Sequence, residues 1–313
     1  MDVTGTFDDG QKPDPTDINC RLVAGTPWLF TATQHDQQFD VLVIDEAGQM
    51  SLANALAAST AAKNLVLLGD PLQLAQVSQG SHPDGCELSV LEHLLGDAAT
   101  IPPERGIFLE RSWRMHPDVC RFISDVVYES RLESEAHCAL RRVDAPTITG
   151  TGLRYHPIEH EGNSQESKEE ADWIAQAVAG MLNGGRFTDW DQPTRPLQPR
   201  DILVVTPYNA QVSKIRETFQ RHGLAVPVGT VDKFQGQEAP IVFFSMATSA
   251  GDDIPRSLDF LFSRNRLNVA ISRAQCLAIL VASPRLLDVE CRTVEQMKLV
   301  NALCRFVEMA DLA

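Results

Sequence analysis

Two short apolar runs, Phe39-Asp40-Val41-Leu42-Val43-Ile44 and Asn64-Leu65-Val66-Leu67-Leu68, each stop abruptly at acidic residues or glycine. Unbroken runs of this length fit strands covered on both faces. Between them residues 51–63 are rich in alanine and long enough for a helix, so the spacing predicts a β-α-β unit of a parallel sheet. A second α/β series begins at Asp201. It predicts strands at 202–205, 228–231, 241–246 and 277–282, with helices at 210–222 and 267–274. Apolar residues at 299, 300, 303, 306 and 307 predict a closing helix over 294–309. Between the two series lie a strand-like Ile107-Phe108-Leu109, a helix over 117–128 and an extended stretch over 153–158. A further helix opens in the polar run Ser164 to Glu170 and reaches residue 182. Residues 184–200 read as a surface loop, 80–105 as a connection, and 1–20 as an irregular start. The implied organisation is a first domain over 21–103 and a second over 104–313.

With 313 residues the chain can support two cores, since single cores stop growing at roughly 250–300 residues. Hydrophobic residues at 43 % and charged residues at 22 % exclude a disordered or fibrous chain. Seven cysteines, at 20, 86, 120, 138, 276, 291 and 304, form no Cys-x-x-Cys pair, which argues against zinc and fits a reducing cytoplasm. No stretch approaches the ~20 apolar residues of a membrane helix, and acidic residues stand where a signal peptide carries positive charge. The net charge of −15 excludes a surface coated with nucleic acid, but not one strand held in a locally basic cleft.

The chemistry is concentrated at strand ends. The run Val41-Leu42-Val43-Ile44 delivers Asp45 and Glu46 to the carboxyl edge of a sheet, where open α/β folds bind ligands. Adjacent carboxylates there suit a nucleotide hydrolase, the first holding Mg²⁺ and the second orienting water, although a solvated strand end has the same residues. Gly69-Asp70-Pro71-Leu72-Gln73-Leu74 follows the next strand, placing a neutral Gln73 where it could sense a terminal phosphate. A Gly-Asp-Pro turn is also common punctuation.

Six segments in order give a specific likeness. These are Arg21-Leu22-Val23-Ala24-Gly25-Thr26-Pro27, Asp45-Glu46-Ala47, Gly69 to Leu74, Arg111-Ser112-Trp113-Arg114-Met115-His116-Pro117, Val228 to Glu238, and Asn268-Val269-Ala270-Ile271-Ser272-Arg273-Ala274. On them the chain resembles superfamily 1 helicases of the 5′→3′ branch, which includes the nonsense-mediated-decay RNA helicase and bacterial RecB-like nuclease-helicase fusions. The resemblance implies tandem RecA-like P-loop NTPase lobes of α/β class with parallel sheets, the first lobe incomplete. It implies ATP and Mg²⁺ between the lobes, with Asp45 as the Mg²⁺ residue and Glu46 activating water. Gln73, Arg114 and Arg273 would report and stabilise the γ-phosphate, the arginines as fingers in cis. Trp113 would stack on adenine, Glu238 would bind the ribose beside Gly236, and Asp70 would belong to the same ATP site. Thr26, Thr206, Tyr208 and Thr230 would contact single-stranded nucleic acid, preferably DNA, through its backbone.

Asp144 with Glu166-Ser167-Lys168 has the order of a nuclease element, but Lys168 lies in a polar helix start and not on a buried strand, so nuclease chemistry is not expected. The phosphate-cradling Gly-x-x-x-x-Gly-Lys-[Ser/Thr] loop is missing: the sequence contains no Gly-Lys-Ser or Gly-Lys-Thr. The expectation is that an upstream first-lobe segment, in cis or as a split partner, supplies it, and that this chain alone turns over little or no ATP. The rival expectation is a non-catalytic module that binds nucleic acid or a partner lobe.

Overall fold

A computed structural model describes residues 21–74, 88–96, 98, 100–255 and 257–313. The chain divides into two compact units, residues 1–97 and 98–313.

The first unit contains helix α1 (Pro27–Phe30), strand β1 (Phe39–Ile44), helix α2 (Leu52–Ser59), strand β2 (Ala62–Leu67) and helix α3 (Val90–Leu95). β1 and β2 pair in parallel, with Val41 opposite Asn64 and Val43 opposite Val66. Ser51 caps α2 by accepting from the Asn54 amide at 3.3 Å. Leu42 and Ile44 turn inward onto Ala55, Ala58, Val90 and Leu91. The opposite face departs from expectation: Val41, Val43 and Val66 are 50 %, 54 % and 41 % exposed, so this strand pair is covered on one side only. The 80–105 connection also needs correction, for α3 is part of this core. It is held by a Ser89–Glu92 capping box and by a bridge between Ser51 and Ser89.

The second unit begins with strand β3 (Arg111–Ser112), helix α4 (Pro117–Val127), strand β4 (Glu133–Ser134), strand β5 (Arg142–Asp144) and strand β6 (Gly152–Pro157). Helix α5 (Lys168–Leu182), strands β7 (Arg186–Thr188) and β8 (Arg195–Pro196), strand β9 (Ile202–Thr206) and helix α6 (Asn209–Arg221) follow. The rest is strand β10 (Val228–Thr230), strand β11 (Ala239–Ser245), helices α7 (Leu258–Leu261) and α8 (Arg264–Ile271), strand β12 (Ala274–Ala282), helix α9 (Val294–Met309) and strand β13 (Asp311–Leu312).

Six of these strands form one parallel sheet in the order β10-β9-β11-β12-β6-β13. β9 and β11 are buried at every position, which is why they read as continuous apolar runs. Ile174, Val178 and Met181 of α5 and Ile215 and Phe219 of α6 pack into the same core as Val204, Ile241, Phe243 and Ile279. On α9, Phe306 is fully buried and meets Phe122 of α4 edge to face at 5.2 Å.

Two further expectations fail here. The 184–200 loop contains β7 and β8, and β7 pairs antiparallel with both β5 and β8 in a small separate sheet. Strands of three and two residues among Pro and Gly leave too short a pattern for alternation to show. Ile107 and Leu109 are 84 % and 78 % exposed and form no strand; pairing starts at Arg111, opposite Glu133. No helix among the described residues is long and apolar enough to cross a membrane.

Candidate nucleotide and strand site

In the first unit β1 ends in a sharply bent backbone. Glu46 adopts φ 53°, ψ 39°, a left-handed conformation unusual for a non-glycine residue, with its amide donating to Asp45 Oδ1 at 2.9 Å. Gln49 Nε2 donates to Glu46 Oε2 at 2.9 Å, which fixes the carboxylate just past the strand. Two glycines let the neighbouring turn close on this bend. A Cβ on Gly48 would lie 2.4 Å from the Asp70 carbonyl, and one on Gly69 would lie 2.8 Å from the Ala47 amide. The Ala47 amide donates to the Leu68 carbonyl at 2.8 Å. Asp45 and Glu46 are thereby brought beside the turn that carries Asp70 and Gln73, as their strand-end positions implied. Asp70 accepts from the Leu72 amide at 2.9 Å and so shapes its own turn. Thr26 is exposed at the start of α1.

Among the described residues no cluster of three or more His, Cys, Asp or Glu side chains is arranged to hold a metal. The exposed Asp45 carboxylate nevertheless fits Mg²⁺, which takes one or two carboxylates and fills its remaining positions with water and phosphate oxygens. Such an ion would neutralise phosphate charge there.

In the second unit the Arg111–Pro117 segment runs from β3 into α4. Trp113 is 66 % exposed. Arg114 Nε forms an ion pair with Glu238 Oε2, and its Nη1 donates to the Ser272 carbonyl at 3.3 Å. Gln275 Nε2 donates to the other Glu238 oxygen at 2.9 Å. Burial raises the Glu238 carboxyl's pKa, but the Arg114 hydrogen bond and charge, with Gln275, outweigh it and hold the group below the ordinary carboxylate value. Gly236 has φ 77° with open space around it, so the backbone angle alone demands glycine. The expected base, ribose and γ-phosphate residues Trp113, Glu238 and Arg114 therefore lie side by side. Arg273 stands apart from them in accessibility. It is 2 % exposed, and its guanidinium donates to the carbonyls of Val269 at 3.0 Å and Gln237 at 3.3 Å.

Apart from Thr26, the residues expected to contact the nucleic-acid strand lie at or just past the ends of β9 and β10. Tyr208 and Thr230 border a cavity of about 210 Å³ shared with Gln165, Asn209, Asp232 and Arg266. Arg266 pairs with Asp232 at 3.2 Å and sits 4.4 Å over the Phe260 ring, which lies 5.7 Å from Tyr208. Thr206 is fully buried and its Oγ1 has no hydrogen-bond partner among the described residues, so it does not face this cavity's solvent.

Sequence reasoning missed the network behind this region. The Glu170 carboxylate, fully buried, accepts from Ser245 Oγ at 2.6 Å and from the Ala247 amide at 3.0 and 3.1 Å. His160 Nε2 lies 3.0 Å from it, and Gln211 Nε2 donates to Ser245 Oγ at 2.9 Å. This fastens the end of β11 to α5 and to the start of α6. A signal existed: Glu170 precedes Ile174, Val178 and Met181 on one helical stripe. The nuclease-like residues, by contrast, are dispersed into separate ion pairs: Asp144 with Arg142, Glu166 with Lys214, and Lys168 with Asp172.

Two AAA-domain family models match the chain, one over residues 22–78 and one over 86–285. The chain belongs to the superfamily 1 helicases. It is similar to the DNA polymerase alpha-associated DNA helicase A of Schizosaccharomyces pombe, with 33 % identity covering 76 % of this chain and 36 % of the relative. It is also similar to the regulator of nonsense transcripts 1 homolog of Neurospora crassa, with 28 % identity over 86 % of this chain and 24 % of the relative. The chain thus spans well under half the length of these relatives. Among solved structures, an arterivirus nonstructural protein 10 helicase in complex with DNA aligns at 17 % identity and TM-score 0.39, covering 82 % of this chain and 41 % of that one.

Proposed function

We propose that this chain works in an ATP-dependent motor that moves 5′ to 3′ on single-stranded nucleic acid, DNA in preference to RNA. The observation that carries the proposal is the adjacency of exposed Trp113, half-buried Arg114 and exposed Glu238, three side chains chemically suited to a base, a γ-phosphate and a ribose. Asp45 and Glu46 of the first unit supply the carboxylates for Mg²⁺ and for the attacking water. The phosphate loop comes from an upstream first-lobe segment, in cis or as a split partner. The uncovered face of Val41, Val43 and Val66 supports this, because an apolar sheet face is normally covered by another layer.

Arg114 is paired with Glu238. Ribose binding to Glu238 releases the guanidinium toward phosphate, so base recognition and finger placement are linked through one ion pair. The test is strand-stimulated ATP hydrolysis by the chain joined to a first-lobe segment bearing a Gly-Lys-Thr loop. Arg114→Ala is expected to lower kcat by about 10³-fold or more with little change in strand affinity. Wild-type turnover in that variant refutes the finger assignment. A joined wild-type protein that binds strands but never hydrolyses ATP supports a non-catalytic binding module instead.

A further inference from the structure

The resemblance gives Trp113 a role but says nothing of what holds it. The His137 ring lies 4.9 Å from Trp113 and 4.4 Å from Trp190, inclined at 49° and 51°. The three rings form a row whose two indoles remain exposed, Trp113 at 66 % and Trp190 at 42 %. Large apolar groups exposed together, unlike singly scattered ones, mark binding surfaces.

The row is tied in place by a buried arginine. Arg141 is 5 % exposed; its Nε pairs with Asp189 Oδ1 at 2.9 Å, and its Nη1 donates to the carbonyls of Arg114 and Trp113. Asp189 Oδ1 also accepts from the Trp190 amide at 2.8 Å. The Cys138 thiol donates to the Trp113 carbonyl at 3.2 Å. One guanidinium thus clips the segment after β7 to the Trp113–Arg114 backbone, setting the row beside the Arg114–Glu238 pair.

We infer that Trp113, His137 and Trp190 form a shelf for the base of a purine nucleoside triphosphate, with Trp190 a positioning residue that acts through His137. This rests on the ATP reading above and deepens it. The base stacks on the open face of Trp113, and Trp190 and His137 back the opposite side so that the indole is held in one orientation before the nucleotide arrives. Prepaying that order strengthens base binding without touching the phosphates. A purine gains more than a pyrimidine because it presents the larger ring system. His137 Nε2 has no hydrogen-bond partner among the described residues, so the ring serves as a flat spacer that phenylalanine can replace.

The experiment titrates ATP, UTP and inorganic tripolyphosphate into the full chain, following the indole N–H resonances and the fitted Kd. In wild type, ATP shifts the Trp113 and Trp190 signals and tripolyphosphate leaves them in place. Trp190→Ala weakens ATP binding about five- to tenfold, weakens UTP less, and leaves tripolyphosphate within about twofold. Trp190→Phe and His137→Phe stay within about twofold of wild type. The shelf is overturned if Trp190→Ala leaves ATP affinity unchanged, or if ATP and tripolyphosphate weaken together. A wild-type chain whose indole signals never respond to ATP overturns the nucleotide reading itself, and the shelf with it.

Discussion

Replacing Glu170 with alanine removes a carboxylate that no solvent reaches. Its oxygens accept from Ser245 Oγ at 2.6 Å and the Ala247 amide at 3.0 and 3.1 Å, and lie 3.0 Å from His160 Nε2. Two donors, the Ser245 hydroxyl and the Ala247 amide, would lose their acceptor, and the buried His160 would lose its acidic neighbour. Hydrogen bonds to a charged group contribute about 1.5–3 kcal/mol each but do not add, and breaking a buried pair costs about 3–5 kcal/mol. The expected loss for Glu170→Ala is therefore about 3–5 kcal/mol. Glu170→Gln keeps the shape and one acceptor oxygen, but turns an amide toward existing donors. Its expected loss is about 1–3 kcal/mol. Equilibrium urea unfolding of the full chain, followed by tryptophan fluorescence and circular dichroism, measures both. Trp173 lies on α5 one turn from Glu170 and stacks on His156 at 3.7 Å, so it reports locally. Because Ser245 also accepts from Gln211 on α6, both variants should weaken single-stranded DNA binding at Tyr208 and Asn209 before global unfolding. A Glu170→Ala protein within about 0.5 kcal/mol of wild type refutes the idea that this network fastens β11.

Phe306→Ala removes a fully buried ring packed on Phe122 and should cost about 3–5 kcal/mol in the same urea experiment; a loss below about 1 kcal/mol would mean α9 does not belong to the core. Burial lowers the pKa of His116 against the raising influence of Asp118, and its Nδ1 accepts from the Asp118 amide at 3.2 Å to cap α4. The folded state therefore favours the neutral ring. Its contribution is present above the unfolded value of about 6.5 and is lost as pH falls from there toward the lower folded value. Melting temperature should drop from pH 7.5 to 5.5, and His116→Asn should flatten that drop; an unchanged slope counts against the cap. Val43→Lys, at a position 54 % exposed, should change the chain's own stability by less than about 0.5 kcal/mol. It should nevertheless impair activity once a first-lobe segment is attached, and equal activity there would mean that face is not the docking layer.

The parallel core was legible because its strands are buried on both faces. Ile202 to Val205 and Ile241 to Phe244 each carry an uninterrupted apolar signal, and the five apolar positions of α9 mark its buried stripe. Short elements escaped for a definite reason. α3 buries only Val90 and Leu91, too few residues for a period, and its identity lies in the Ser89–Glu92 cap. β7 and β8 are three and two residues long and acquire meaning only by pairing, β7 with β5 and β8 with β7. Ile107 and Leu109 misled in the opposite direction, being apolar without a partner strand.

The candidate site residues stood out as motifs, yet their accessibility did not. Trp113 and Arg114 are reachable, whereas Arg273 and Thr206 are buried, a difference set by packing across β11 and β12 that no local pattern encodes. Glu170 hid among Glu166 and Glu169 in one polar run. The helical phase shared with Ile174 separates it, because only Glu170 lies on the inward stripe.

The motor reading meets its most direct test in ATP hydrolysis with and without single-stranded DNA, measured on this chain alone and on the chain joined to a first-lobe segment bearing a Gly-Lys-Thr loop. The expected result is negligible turnover by the chain alone and strand-stimulated turnover by the joined protein. Turnover by the isolated chain, or silence in the joined protein with DNA present, would contradict it.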